Sequence, residues 1–345
     1  MRLPEPMHST VPAIFRWHES KRSDPLRAHL GASVIGKECA RAVWYSFRWA
    51  ETAQFDGRML RLFQSGELSE GRIVSELRAI GVTVWDKEGD EQFRRSLLGG
   101  HFSGAVDAIA QGFLEAPKAT AVCEFKTHNA KSFAALAKKG VREARPQHFA
   151  QCQVLMLMFE LERCAYIAVN KDTDEMHFEW LHLDKHEAQR WIDRAEWIIT
   201  SAEPPPRLSE EADHFVCKFC EFHSICHGAE APLVNCRTCA HSTPMTHGEG
   251  GRWDCERGRA EIHNLPKAGC NEHRYIPILL ERFAEAIDAA DGNVEYRNKL
   301  TGETFCNGEL SSAEIRACKD KAMLGQERVD PKLKALREEF GAVYG

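Results

Sequence analysis

Two short segments constrain this chain most, His101-Phe-Ser-Gly-Ala-Val-Asp107 and Val122-Cys-Glu-Phe-Lys-Thr127. As two strands of one sheet, they bring Asp107, Glu124 and Lys126 within reach of one point. Side chains alternate faces along a strand. Glu124 and Lys126 therefore share a face, and Cys123 and Phe125 turn the other way into apolar packing. Two carboxylates beside a lysine are what metal-assisted phosphodiester hydrolysis requires. Carboxylate oxygens hold a hard cation, and the cation activates water and neutralises the attacked phosphate. A lysine positions that water or stabilises developing charge. An acidic-x-Lys pair is also a common solvated ladder pair, so the rest of the chain must decide.

The flanking pattern predicts an α/β (α+β) domain, a mixed central sheet covered by helices. Residues 1–30 read as irregular, with Pro4, Pro6, Pro12 and Pro25. A helix is expected from Ser33 to about Trp49, and a longer one from Met59 to Ile80. The stripe of the second is Leu62, Phe63, Gly66, Ile73, Val74, Leu77 and Ile80. Strands follow at Gly81–Trp85, Leu97–Ile109 and Thr120–Lys126. A helix begins at Phe133–Leu136, and Pro146 opens the next at its first position. Cys164–Asn170 and Met176–Leu183 read as paired strands, and Glu187–Ala202 as a helix ended by Pro204-Pro-Pro206.

Glu70 falls on the apolar stripe of the long helix. A carboxylate there is costly unless paired or bound to a cation. It is either a buried hydrogen-bonded glutamate or a further metal ligand. After Pro146, Gln147, Gln151 and Leu155 align at helical spacing, facing either substrate or water.

The 345 residues suffice for two domains, or one with elaborations. A net charge of −6 gives no global basic signature, so nucleic acid would need a local basic path. Candidates are Lys131, Lys138, Lys139, Arg142 and Arg145, and the run Lys21, Arg22, Arg27; a solvated face is the alternative. Met1-Arg-Leu-Pro-Glu-Pro6 has no apolar core, and no apolar run approaches membrane-spanning length. The expected location is the cytoplasm, with no membrane partner.

In a reducing compartment, clustered cysteines mean metal more often than disulfides, and this chain has 13. Cys217-Lys-Phe-Cys220 is followed by Cys226. A fourth ligand is open among His223, His227 and a distant cysteine. Next come Cys236, Cys239, Cys255 and Cys270, a spacing that suits a small zinc module. His241, His247 and His273 compete as ligands there. Cys123, Cys152 and Cys164 read as packing residues, and Cys306 and Cys318 as unpartnered. The tail is expected to hold a helix over Ile278–Ala290, a hairpin around Thr301-Gly302 and two terminal helices.

Gly66-x3-Glu70, Gly104-x2-Asp107, Glu124-x-Lys126 and Gln151, in that order, resemble the PD-(D/E)XK nuclease superfamily. The nearest part is the RecB-like branch, with lambda-type phage exonucleases and CRISPR-associated nucleases. One cysteine before the core and Cys-x2-Cys-x5-Cys after it resembles the iron–sulfur nucleases of that branch, such as the AddB helicase-nuclease subunit. The resemblance covers roughly residues 31–275, and Glu124–Phe133 and Tyr166–Lys171 look like phage and prophage members. It implies a restriction-endonuclease-like core and a 4Fe–4S cluster on Cys39, Cys217, Cys220 and Cys226. Such a closure removes unfolded-state entropy.

The resemblance further implies a DNA exonuclease of phage recombination or processing. Asp107 and Glu124 would bind Mg²⁺ or Mn²⁺, with the Phe125 carbonyl and Glu70 completing the site. Lys126 would act on the attacking water, Gln151 would hold Lys126 or a phosphate, and Lys131 and Ser132 would contact DNA phosphates. Expected partners are linear DNA ends, single- or double-stranded, and a single-strand annealing protein. Two features depart from the branch: Leu155 replaces the tyrosine of Gln-x3-Tyr, and Glu70 stands where many relatives carry histidine. His101 is either a site histidine or a polar strand end. The expected division is a nuclease domain over 1–230, a four-cysteine zinc module over 231–277 and a tail over 278–345. Alternatives are an endonuclease of the same fold and a non-catalytic DNA-binding scaffold.

Overall fold

The computed structural model describes residues 9–21, 26–257 and 268–326. Arg22 and the chain end expected to form the last helix lie outside them. The N-terminal part contains α1 (Thr10–Ser20), β1 (Leu30–Gly31), α2 (Ala32–Ile35), α3 (Ala40–Phe47) and α4 (Gly57–Ala79). Helix α1 corrects the expectation of an irregular start. Its proline, Pro12, lies in the first turn, where a missing N–H leaves no bond unmade. The helix expected over Ser33–Trp49 is also corrected, because it breaks between α2 and α3. Gly36 sits at the break, and a Cβ there would lie 2.7 Å from the Gln147 Cα. Cys39 thereby becomes the residue that leads into α3.

The chain continues through β2 (Thr83–Trp85), β3 (Arg94–Leu97), β4 (Phe102–Ala105), β5 (Ala108–Phe113) and β6 (Ala116–His128). Then come α5 (Ala130–Ala144), α6 (Pro146–Met158), β7 (Arg163–Asn170), β8 (Met176–His182) and α7 (Lys185–Thr200). Five strands form the main sheet in the order β2-β5-β6-β7-β8. Strands β6 and β7 are parallel and the other pairs antiparallel, so the sheet is mixed and helices cover it. A second sheet has the order β1-β4-β3. The single strand expected over Leu97–Ile109 is therefore two, divided at Val106-Asp107. The Val106 N–H donates to the Phe93 carbonyl just before β3 of the small sheet, and the Asp107 N–H to the Cys123 carbonyl in the main one. Asp107 is the corner at which the chain changes sheets.

The two faces of the main sheet bury different clusters. Cys123 and Phe125 of β6 pack with Ile73, Val74 and Leu77 of α4. Val122 and Tyr166 pack on the other face, in the cluster of α5, α6 and α7. Only the C-terminal half of α4 lies on the sheet. Leu62, Phe63 and Ile80 of the expected stripe are 39%, 43% and 61% exposed. The N-terminal half lies instead beside α1, where Glu19 accepts the Gly57 N–H at 2.8 Å.

Beyond α7 come α8 (Phe215–Lys218), α9 (His223–Cys226), β9 (Ser242–Pro244) and β10 (Trp253–Cys255). The helix expected over Ile278–Ala290 is corrected. A 3-10 turn, Pro277–Leu280, leads into a three-stranded antiparallel sheet of β11 (Ala284–Ala290), β12 (Asn293–Asn298) and β13 (Thr304–Asn307). Asp291 and Gly292 both take positive φ, the two-residue hairpin that an Asp-Gly pair favours. That local turn overrides the helical propensity of the alanines before it. The hairpin expected around Thr301-Gly302 joins β12 to β13, and α10 (Ser312–Ala317) follows. Among the described residues no helix is long and apolar enough to cross a membrane.

Gly36 gives a test of the α2–α6 contact. Gly36→Ala would force its methyl group against the backbone of α6 and should cost about 1–3 kcal/mol. Thermal unfolding measures it; an unchanged Tm would mean that α6 moves freely.

Candidate active site

The site forms where β5 turns away from β6. Beyond the Ala108–Cys123 pair, β6 has no strand partner on that side among the described residues. The Asp107 carboxylate takes the place of a ladder partner and accepts the Phe125 N–H at 2.7 Å. On the neighbouring pleat, Glu124 is 1% exposed. Its Oε1 accepts from Gln151 Nε2 at 2.7 Å and from the Lys126 ammonium. Lys126 also donates to the Phe125 carbonyl at 3.1 Å. Glu124 Oε2 is buried with no hydrogen-bond partner among the described residues. Glu70 enters from α4, and with Gly66, Ser69, Ile73, Phe125, Lys126 and Thr127 it lines a cleft of about 140 Å³.

Crowding three carboxylates raises the affinity of each for a proton. Burial pushes Glu70 up to about 7, and Asp107 pushes the same way. Burial likewise raises Asp107 and Glu124. Lys126 opposes the rise in all three. Burial works against the Lys126 ammonium itself, but Glu124 and Asp107 together hold it charged. A site with excess buried negative charge and an unpaired carboxylate oxygen is suited to a cation. Oxygen donors of this kind suit Mg²⁺ or Mn²⁺, and among the described residues Asp107, Glu124 and Glu70 lie near one another without standing at metal-binding geometry.

Other sequence candidates land differently. Gln151 holds Glu124 rather than Lys126. Leu155 is buried, with a Cβ on Gly104 falling 2.6 Å from its methyl group, so this position faces β4 and not a ligand. His101 is buried and bonds the Arg252 carbonyl at 2.8 Å, between Phe47 and Trp253. Lys131 is exposed at the start of α5. Ser132 is not free, because its hydroxyl meets His128 at 2.7 Å and the Arg145 guanidinium. Lys138, Lys139 and Arg142 are exposed, but Lys139 pairs with Glu143 and Arg142 with Glu187. Sequence reading named Arg145 only as one cation of a basic path and missed its companions around Ser132: His128, His148 and Tyr166. The visible signal was His148, three residues before Gln151 on one helix face.

Both cysteine sets assemble. Cys39, Cys217, Cys220 and Cys226 line one pocket. Cys236, Cys239, Cys255 and Cys270 line another. Burial raises the Cys239 thiol, and Cys270 and Cys255 push the same way. His273 engages both ring nitrogens, with Ser312 at 2.8 Å and Thr238 at 3.2 Å, which leaves it no free nitrogen for a metal. Among the described residues, no group of three or more His, Cys, Asp or Glu side chains stands at metal-binding geometry. The pockets gather the thiols without closing them on a point.

No protein-family model and no curated protein matches the chain. Solved structures give partial likenesses. One is SSO0001, with a TM-score of 0.41 and 17% identity over 64% of this chain and 96% of that one. Another is an alkaline exonuclease from Laribacter hongkongensis, at 0.38 and 14%, over 53% of this chain and 89% of that one. A third is a phage related exonuclease from Haemophilus somnus 129PT, at 0.36 and 12%, over 49% and 91%. Likenesses of this extent assign no family, and the reading of the site rests on its geometry.

The raised Glu70 carboxyl has a consequence for stability in metal-free solution. The folded protein keeps a proton there that an unfolded glutamate loses above pH about 4.5. Folding therefore binds more protons between pH about 4.5 and 7, and this contribution is lost as pH rises through that window. Glu70→Gln should flatten the fall of Tm with pH in EDTA. Parallel Tm curves for the two proteins would remove Glu70 from the carboxylate cluster.

Proposed function

We propose that this chain is a metal-dependent nuclease acting on DNA, and most specifically an exonuclease at linear ends. The observation that supports this best is the gathering of Asp107, Glu124 and Lys126 around β6 beside a cleft lined by Glu70 and Lys126, near enough that each carboxylate feels Lys126, with Glu124 Oε2 buried and unpaired among the described residues. Asp107 and Glu124 would hold Mg²⁺ or Mn²⁺, with Glu70 and the Phe125 carbonyl completing the set. The bound cation supplies a lowered water pKa and charge neutralisation at phosphate.

The remaining work belongs to the side chains. In hydrolysis the water oxygen bonds to phosphorus, the bond to the leaving oxygen breaks, and that oxygen takes a proton. Lys126, 26% exposed beside the cleft and held by Glu124, can orient the water and offset charge on the phosphate. Gln151 fixes the rotamer of Glu124 through Oε1, which keeps Oε2 free. Asp107 is set by its bond from the Phe125 N–H. Exposed Lys131 is placed to meet a backbone phosphate, an electrostatic contact without sequence choice.

The two thiol pockets complete the proposal. Cys39, Cys217, Cys220 and Cys226 would hold a 4Fe–4S cluster, and Cys236, Cys239, Cys255 and Cys270 a zinc ion. Thiolates suit both, and the lining of each pocket by one predicted set supports the division. Both groups are structural in this reading.

Two experiments test it. With Mn²⁺, the protein should degrade linear DNA and spare covalently closed circles. Asp107→Ala and Lys126→Ala should each lower the rate at least about 100-fold with the fold intact by circular dichroism. Retained cleavage would sink the assignment, and cutting of circles would make the enzyme an endonuclease. Metal analysis of anaerobically purified protein should give about four irons and one zinc per chain. Cys220→Ser should lose the iron and the absorbance near about 400 nm. Cys239→Ser should lose zinc alone; loss of both metals would mean that the ligands are wrongly divided.

A further inference from the structure

His148 stands one turn of α6 before Gln151, about 5 Å along the axis, on the same face. A file of hydrogen bonds leads to it. The Arg145 guanidinium, which can only donate, donates to the Ser132 hydroxyl and at 2.8 Å to the Ser132 carbonyl. Ser132 Oγ lies 2.7 Å from His128 Nδ1. His128 Nε2 lies 3.2 Å from the Tyr166 hydroxyl, which lies 2.8 Å from His148 Nδ1.

One direction uses every proton in this file. Ser132 accepts from Arg145 and donates to His128 Nδ1, His128 Nε2–H donates to Tyr166, and Tyr166 donates to His148 Nδ1. The opposite direction leaves the Ser132 proton without an acceptor among the described residues. His148 therefore carries its own proton on Nε2. That atom has no hydrogen-bond partner among the described residues, nor is it among the buried polar atoms left unpaired. The half-buried ring presents an N–H outward.

Cations and a neutral imidazole surround the His148 ring, and one of those cations, Lys126, is paired with Glu124. His128 and His148 are held neutral, pushed down to about 4 and about 3, first by burial. The charged groups that act on His148 after burial are Lys126, His128 and Arg145. Those that act on His128 are Arg145, Lys126 and His177. All are cations or imidazoles. Tyr166 is the register partner of Glu124 across β6 and β7, so the file lies beside Glu124 on the face of the sheet that α6 covers. Gln151, one turn on, grips the same glutamate.

We propose that the Nε2–H of His148 contacts a backbone phosphate of the bound strand beside the scissile bond, with Arg145, Ser132, His128 and Tyr166 fixing its tautomer. This rests on the nuclease reading. It adds a neutral phosphate contact, whose removal weakens binding without releasing fewer counterions.

The test uses the full chain and a fluorescent oligonucleotide. His148→Ala should raise Kd and KM about tenfold, with a much smaller change in kcat. The slope of log Kd against log salt should stay that of wild type, whereas Lys131→Ala should lower it by about one. Tyr166→Phe should weaken binding in the same sense and less. His148→Gln, which keeps an N–H, should recover part of the loss. Wild-type affinity and KM in His148→Ala, with only a lower Tm, would overturn the contact and leave the nuclease intact. A wild-type protein that neither binds nor cuts DNA would overturn the nuclease reading, and this inference with it.

Discussion

The site depends on keeping Glu124 out of water with one oxygen unpaired. A carboxylate at 1% exposure is tolerated only when charge and hydrogen bonds offset its lost hydration. Lys126 and Gln151 supply both at Oε1, from the same strand and from α6. Nothing among the described residues supplies either at Oε2. Much of the surrounding architecture meets this requirement. The corner at Asp107 opens β6 so that a second carboxylate can reach it, and α4 leaves the sheet where Glu70 enters.

The same requirement explains why α6 must lie where it does. Its first turn is pressed onto α2 at Gly36, where a Cβ would strike backbone. That contact fixes the face bearing His148 and Gln151 toward the sheet. Helix α5 is fitted by a different device. Gly140 takes a φ of 73°, and the next N–H, from Val141, donates to Glu179 of β8 at 2.9 Å. The bend lets α5 end against the sheet and leaves Arg145 beside Ser132.

The segment after α7 is joined to the core by ion pairs such as Arg41 with Glu281 at 3.1 Å and by two buried arginines that meet carbonyls and aromatic rings. Arg237 donates to the carbonyls of Phe47 at 2.7 Å and Ala28 at 2.6 Å, and lies 3.9 Å from the centre of the Trp49 ring. Arg48 stacks between Trp44 and Trp253. Carbonyls and aromatic faces meet these guanidinium groups, while the Nε of each is buried without a hydrogen-bond partner among the described residues. Two thiol pockets flank this joint, and one of them brings Cys39 to the stretch after the prolines.

Local periodicity and caps were legible in the sequence. The two-residue alternation placed Glu124 and Lys126 on one face and Cys123 and Phe125 on the other, as they are found. Pro146 opened α6, and the spacing of cysteines grouped Cys217, Cys220 and Cys226 in one pocket and Cys236, Cys239, Cys255 and Cys270 in the other, whereas Cys39 came from the family resemblance and not from spacing. The Asp291-Gly292 turn was present in the letters but outvoted by helix-forming alanines. What no local rule contains is distance between remote segments. Tertiary packing decided that α4 covers the sheet with half its stripe, that Leu155 faces β4, and that Arg145, Ser132, His128, Tyr166 and His148 form one file. The sequence by itself determined which residue types could share a face, because strand and helix periods are set by backbone geometry. Only the folded chain decided which of those faces meet, because burial and hydrogen-bond satisfaction are properties of the whole packed structure.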